Sequence, residues 1–240
     1  TLNEWALQGK LPYSKISYGV WPKLKNQYQL LESGGALGKG VGPLLIYKED
    51  PKHIAGKPDE KTMRVAIPGM DTTAHLLFSL AFPDVKNKVF LVFNEIEEAV
   101  LSGKVDAGVI IHENRFTYAA KGLHKVIDLG SFWEQKTGSA IPLGGIVMSR
   151  KYDKQTLDKV NRIMASSVEF AMKNPLSSAA FVKQHAQEME ESVVVKHIQL
   201  YVNKYSLNLG VEGRKAVSTL LDSAVAQGLI LPFTYPIFID

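Results

Sequence analysis

Between residues 64 and 111 of this 240-residue chain, short apolar runs alternate with helical periodicity, and that alternation constrains the fold more than any other feature. The pattern predicts strands over 64–67, 89–92 and 105–111, with helices over 72–81 and 95–102 between them. Strand, helix, strand order implies βαβ units and therefore a sheet of parallel strands covered by helices.

Two segments rich in glycine or proline bracket this block. Ser33-Gly34-Gly35-Ala36-Leu37-Gly38-Lys39-Gly40-Val41-Gly42 leads into a strand over 43–47, and Ile141-Pro142-Leu143-Gly144-Gly145 leads into another over 146–150. Glycine-dense stretches read as tightly turned or mobile connections. The block between them is therefore expected to be an inserted lobe, residues 46–144, with residues 1–45 and 145–240 forming the discontinuous first lobe. Ahead of it the pattern gives a short amphipathic helix over 2–8, a strand over 13–18 and a helix near 21–25. Beyond it, 153–228 reads as helical, with Ile163, Val168, Phe170 and Ala171 among the recurring apolar positions, and is expected to pack back on the first lobe. The fold class is α/β, a two-lobed clamp.

Composition removes several functions. Twenty-eight Lys and Arg against 24 Asp and Glu leave a net charge of only +4, without a basic cluster, so a nucleic-acid partner is not expected. With no cysteine there is no disulfide, thiolate nucleophile or Cys-ligated metal. The six histidines lack ligand spacing, so no metal is expected either. No apolar run approaches the roughly 18 residues needed to span a bilayer, which argues against a membrane partner. Gly35-Ala36-Leu37-Gly38-Lys39-Gly40 fails as a phosphate loop, because Gly40 stands where the hydroxyl residue belongs and a strand follows in place of a helix. Thr1 runs directly into an element, so further chain is expected upstream.

Open α/β sheets bind ligands beyond the carboxyl ends of their strands. Three strand ends carry suitable groups. After 64–67, Pro68-Gly69-Met70-Asp71-Thr72-Thr73-Ala74-His75 opens a helix whose first N–H groups and threonine hydroxyls can hold an anion; equally, Asp71 or Thr72 can be a simple N-cap. After 105–111 comes His112-Glu113-Asn114-Arg115-Phe116-Thr117-Tyr118, in which His112 has the pKa range of a general base at neutral pH; the alternative is a surface histidine, with Glu113 and Arg115 solvated or paired. In the strand over 13–18, alternation puts Lys15 and Ser17 on one face, offering a cation and a hydroxyl to a carboxylate, or forming the polar face of an edge strand.

Taken together, Ser14-Lys15-Ile16-Ser17-Tyr18, the glycine segment 33–44, Ile110 to Tyr118 and Pro142-Leu143-Gly144-Gly145 resemble the 1,4-dihydroxy-6-naphthoate synthases of the futalosine route to menaquinone. The resemblance runs from Thr1 to about Phe238. It implies a periplasmic-binding-protein-like clamp and a cytoplasmic, cofactor-free lyase that acts on the small carboxylate substrate cyclic dehypoxanthinyl futalosine. His112 matches the family's proton acceptor. Lys15, Ile16 and Ser17 match one substrate-contacting stretch, and Thr73 with Ala74 a second. Family members carry a further strand and a Ser-Pro-Cys-Pro-Asn-Asp type segment ahead of the position of Thr1. Two alternatives stay open. The sister enzyme chorismate dehydratase shares the clamp but ends the corresponding strand in Gly-Asp, where this chain has His112-Glu113. A solute-binding protein shares the clamp too, and has no use for a base at His112.

Overall fold

The computed structural model describes residues 2–50, 60–185 and 190–239. A first helix, α1 (Leu2–Leu7), precedes β1 (Tyr13–Ser17), a single 3₁₀ turn, α2 (Trp21–Leu24), β2 (Tyr28–Leu30), β3 (Ala36–Gly38) and β4 (Leu44–Tyr47). The middle of the chain gives β5 (Val65–Ile67), α3 (Thr73–Ala81), β6 (Lys88–Phe90), α4 (Ile96–Leu101), β7 (Ala107–Ile110), α5 (Asn114–Thr117), β8 (His124–Asp128) and α6 (Leu129–Thr137). There follow β9 (Ile141–Ser149) and five helices, α7 (Lys154–Lys173), α8 (Ala179–His185), α9 (Glu191–Tyr201), α10 (Lys204–Leu207) and α11 (Gly210–Ala226).

Two sheets result. In the first, β9 is the central strand, pairing antiparallel with β1 along one edge and with β2 and then β3 along the other. The second has the order β6-β5-β7-β4-β8. Its three inner strands, β5, β7 and β4, are buried on both faces. Leu45, Val65, Ile67 and Val109 meet Ala74 and Phe78 of α3 on one side, and Leu44, Ile46, Ala66 and Ile110 meet Ile96, Ala99 and Val100 of α4 on the other. The core of the first sheet joins Ile16, Leu30 and Val147 to Val217, Leu220 and Leu221 of α11.

Three expectations change. β5 runs parallel to β6 and β7 as the βαβ pattern requires, but β4 is antiparallel to both β7 and β8. No crossover helix precedes β4, so its direction is set by its entry from the first sheet and the parallel rule does not reach it. The second glycine segment is no hinge: residues 141–145 are the first part of β9. Its glycines are there for close approach. A Cβ on Gly144 would lie 2.7 Å from the carbonyl oxygen of Ile16, and one on Gly145 2.8 Å from the hydroxyl of Tyr18. Finally, the helical tail packs unevenly. Leu157 is the buried residue of α7, while Ile163 and Phe170 are 57% and 60% exposed.

The chain passes between the sheets at two places, and these touch. Gly42 precedes β4 and Gly130 opens α6; a Cβ on Gly130 would sit 2.7 Å from the Cα of Gly42. Asp128 caps α6, accepting hydrogen bonds from the N–H groups of Gly130 (2.9 Å) and Ser131 (3.1 Å). Arg115 braces the junction, donating to the carbonyl of Gly42 and pairing with Asp128 at 3.1 Å.

Gly130→Ala is expected to cost about 3 kcal/mol, since backbone stands where the methyl group must go; urea unfolding would read the loss. Arg115→Leu should also cost about 3 kcal/mol by leaving a largely buried carboxylate without its cation. An unchanged urea midpoint in either variant would contradict the tight junction.

Candidate active site

His112 follows β7 with φ 57°, the one non-glycine residue in the left-handed region among the described residues. That conformation costs an L-residue roughly 1–2 kcal/mol. It turns the chain sharply out of the strand, and the turn is held from outside. Asn114 donates to the buried carboxylate of Glu97 on α4 at 2.6 Å, and Lys121 pairs with the same oxygen at 2.6 Å. Arg115 is committed to the junction described above. Of the polar run after β7, the structure therefore assigns Asn114 and Arg115 to architecture and leaves His112 exposed and Glu113 half-buried. Arg115 pairs with Asp128, not with Glu113.

The His112 ring is reached by solvent yet crowded. Phe93 meets it edge-on with centroids 5.5 Å apart. Burial lowers its pKa below the ordinary imidazole value, Glu113 opposes that, and the positive fields of His197 and Lys15 add to the lowering. The neutral imidazole is thus the form favoured near neutrality, as a proton acceptor requires.

Lys15 comes from the other sheet. Alternation along β1 buries Ser14 and Ile16 and turns Lys15 and Ser17 outward, as the period-2 reading requires. Burial lowers the pKa of Lys15, and its charge is felt by both His112 and His197. Ile16 is only 2% exposed and packs in the core, so its backbone alone faces outward groups. Ser17 is gripped by Asn3, whose Oδ1 accepts from its N–H at 3.0 Å and whose amide donates to its hydroxyl at 3.2 Å. The same amide donates to the carbonyl of Asp71 at 2.6 Å, tying the end of β1 to the turn before α3.

At that turn Thr72 is the N-cap, its hydroxyl accepting from the N–H of His75 at 3.1 Å. The hydroxyl of Thr73 accepts from the N–H of Gly19 at 3.1 Å and donates to the carbonyl of Leu143 in β9 at 2.7 Å. With Thr73 2% and Ala74 5% exposed, what these residues can present is their backbone N–H, the first two of α3 and without intrahelical acceptors. Asp71 pairs with Lys23 at 2.5 Å. His75 turns away, bonded through Nδ1 to the carbonyl of Met70 and through Nε2 to Lys88.

One member of the cluster escaped the sequence reading. His197, on α9, has its ring centroid 6.1 Å from that of His112 and 4.6 Å from that of Tyr201. It lies 85 residues further along the chain than His112 in a helix with no strand end to flag it, and its i+4 neighbour is a tyrosine, not a second ligand. Only tertiary packing brings it to the cleft. Among the described residues no group of three or more His, Cys, Asp or Glu is placed to hold a metal, and no helix is long and apolar enough to cross a membrane.

Comparison with known proteins places the chain in a family. A family model described as menaquinone biosynthesis matches residues 1–226. The 1,4-dihydroxy-6-naphthoate synthase of Thermus thermophilus is 40% identical over 239 residues, spanning all of this chain and 85% of that protein. Its namesake from Streptomyces coelicolor is 42% identical over 233 residues, covering 95% and 80%. Among solved structures, protein AF1704 of Archaeoglobus fulgidus superposes with a TM-score of 0.87 at 31% identity over 95% of this chain and 84% of that one. The alkanesulfonate-binding protein SsuA of Xanthomonas axonopodis, solved with MOPS bound, gives a TM-score of 0.67 at 17% identity over 98% and 82%, which shows the periplasmic-binding-protein-like fold alone. This chain therefore belongs to the menaquinone-biosynthesis family and, within it, to the 1,4-dihydroxy-6-naphthoate synthases.

Proposed function

We propose that the protein is a carbon–carbon lyase that converts cyclic dehypoxanthinyl futalosine to 1,4-dihydroxy-6-naphthoate in the cytoplasm, with His112 as the base and no cofactor. One observation carries this reading: the His112 imidazole, set in a left-handed turn at the end of the second sheet's β7 and packed edge-on against Phe93, feels the charge of Lys15 on the first sheet. A capture protein needs the cation but not the base. The substrate carboxylate pairs with Lys15 and takes hydrogen bonds from Ser17, or from the N–H groups of Thr73 and Ala74 at the start of α3. Ile16 contributes its backbone. His112 then removes a proton, the electron pair left on the substrate drives scission of the carbon–carbon bond, and formation of an aromatic ring pulls the step forward. The imidazolium returns the proton to the departing fragment.

In this reading the segment that builds the second sheet and the remainder of the chain act as two lobes, and their closure excludes water while the intermediate exists. The Gly42 and Gly130 junction is the natural pivot, because both connections pass through it.

His112→Asn should lower kcat by about a thousandfold while leaving substrate affinity nearly intact; product formation followed by liquid chromatography with mass detection, beside a binding isotherm, checks both halves. Full turnover in the variant sinks the base assignment. Absence of product from the unmodified protein, together with tight binding of the substrate, favours the capture reading.

A second prediction follows from the electrostatics. A base must be deprotonated to act, and with His112 held below the ordinary value of about 6.5 the acidic limb of kcat/KM lies below that pH. Glu113 raises the pKa of His112. Glu113→Gln therefore moves the limb to still lower pH, and a limb that stays in place would remove Glu113 from the field acting on the base.

A further inference from the structure

His197 offers two different nitrogens to its surroundings. Nε2 is sealed from solvent and has no hydrogen-bond partner among the described residues, whereas Nδ1 is not sealed. Buried polar atoms in folded proteins are almost always paired, so a sealed nitrogen without a partner fixes where the ring proton resides. A proton on Nε2 would be an orphan donor, costing about 1–3 kcal/mol. The imidazolium would carry that orphan donor and a desolvated charge as well. The remaining form is the neutral ring with its proton on Nδ1, the nitrogen that can meet solvent or a ligand.

The ring is held in place. It lies against Tyr201, one turn further along α9, with centroids 4.6 Å apart. The end of that helix is anchored to the connection ahead of β4, through Tyr201 donating to the carbonyl of Val41 at 3.4 Å and Asn203 donating to that of Leu37 at 2.9 Å. The charged and titratable groups facing His197 are Lys15 from β1, His112 and Glu113 from the end of β7, and Tyr201 from its own helix. Burial and Lys15 disfavour its cationic form, and Glu113 opposes them.

We propose that His197 is a catalytic hydrogen-bond donor of fixed tautomer, whose Nδ1–H stabilises the substrate oxygen that gains negative charge when His112 takes its proton. This rests on the lyase reading. The hydrogen's bond to the substrate breaks and the proton goes to His112. The electron pair stays on the substrate and spreads to a conjugated oxygen, which accepts the hydrogen bond from Nδ1. His112 later returns the proton, and His197 neither gains nor loses one. Two histidines with ring centroids 6.1 Å apart thus divide the work, one accepting a proton and the other donating a hydrogen bond. A preorganised donor in this position typically contributes 10²–10³-fold to kcat.

The test uses the intact protein and two readouts. His197→Phe preserves the packing on Tyr201 and removes the donor, and is expected to lower kcat by about 10²-fold with KM changed less than threefold. His197→Asn restores an amide N–H near the position of Nδ1, and should regain at least tenfold over His197→Phe. Because His197 helps hold the pKa of His112 down, any movement of the acidic limb in either variant is expected toward higher pH. Activity of His197→Phe within twofold of the unmodified protein, or an asparagine variant no better than phenylalanine, overturns the proposal. The second readout needs no turnover: ¹⁵N shifts of the ring nitrogens, assigned by difference with His197→Phe, should show a neutral Nδ1–H ring at about pH 8 that titrates below the ordinary imidazole value. An Nε2–H tautomer, or titration near the ordinary value, overturns the proposal even if the protein forms no product. A protein inactive on the futalosine substrate but carrying the Nδ1–H ring would refute the lyase reading, and with it the catalytic role, leaving the tautomer assignment standing.

Discussion

The contact of Gly42 with Gly130 is the constraint on which the rest of the molecule turns. Two connections join the sheets, and they cross where neither residue carries a side chain. Backbone therefore lies on backbone, and Arg115 closes the crossing by reaching the carbonyl of Gly42 and the carboxylate of Asp128. Arg115 is also the third residue after His112. The guanidinium that ties the sheets together thus sits in the same turn that carries His112, so the position of His112 relative to Lys15 is referred directly to the crossing.

A similar economy appears at the other strand ends. Asn3 bonds Ser17 and Asp71 at once, and the hydroxyl of Thr73 bonds Gly19 and Leu143 at once. Each side chain spends its hydrogen-bonding capacity on joining elements from both sheets, and what remains for a ligand is backbone N–H and the outward face of β1. Lys15, His112, Glu113 and His197 carry no comparable side-chain hydrogen bonds to other described residues.

Much of this was legible in the sequence. The period-2 alternation of β1 put Lys15 and Ser17 on one face because a buried Ile16 requires it, and the strand-end reading placed His112 just after β7 and Thr73 at the start of α3, where the structure has them. The β9 strand was misread at its start because glycine reports conformational freedom and close approach with the same letter. In Gly144 and Gly145 the cause is approach, to Ile16 and Tyr18. The antiparallel β4 was hidden because direction depends on how the chain enters the sheet, which no local pattern encodes. His197 was hidden for a deeper reason: its neighbours are determined by how α9 is tethered to the connection ahead of β4, a contact across about 160 residues of chain.

The left-handed backbone of His112 has its own consequence. At such a position glycine is the residue that costs least and β-branched residues cost most, so the chain would be firmer with glycine there and the cleft would be chemically blank. Holding an imidazole at that torsion costs folding energy, and it narrows the substitutions through which the position could drift. Asparagine tolerates the same torsion, which makes it the replacement that removes the base with least disturbance to the turn. Threonine or valine would be opposed by the backbone before any question of reactivity arose.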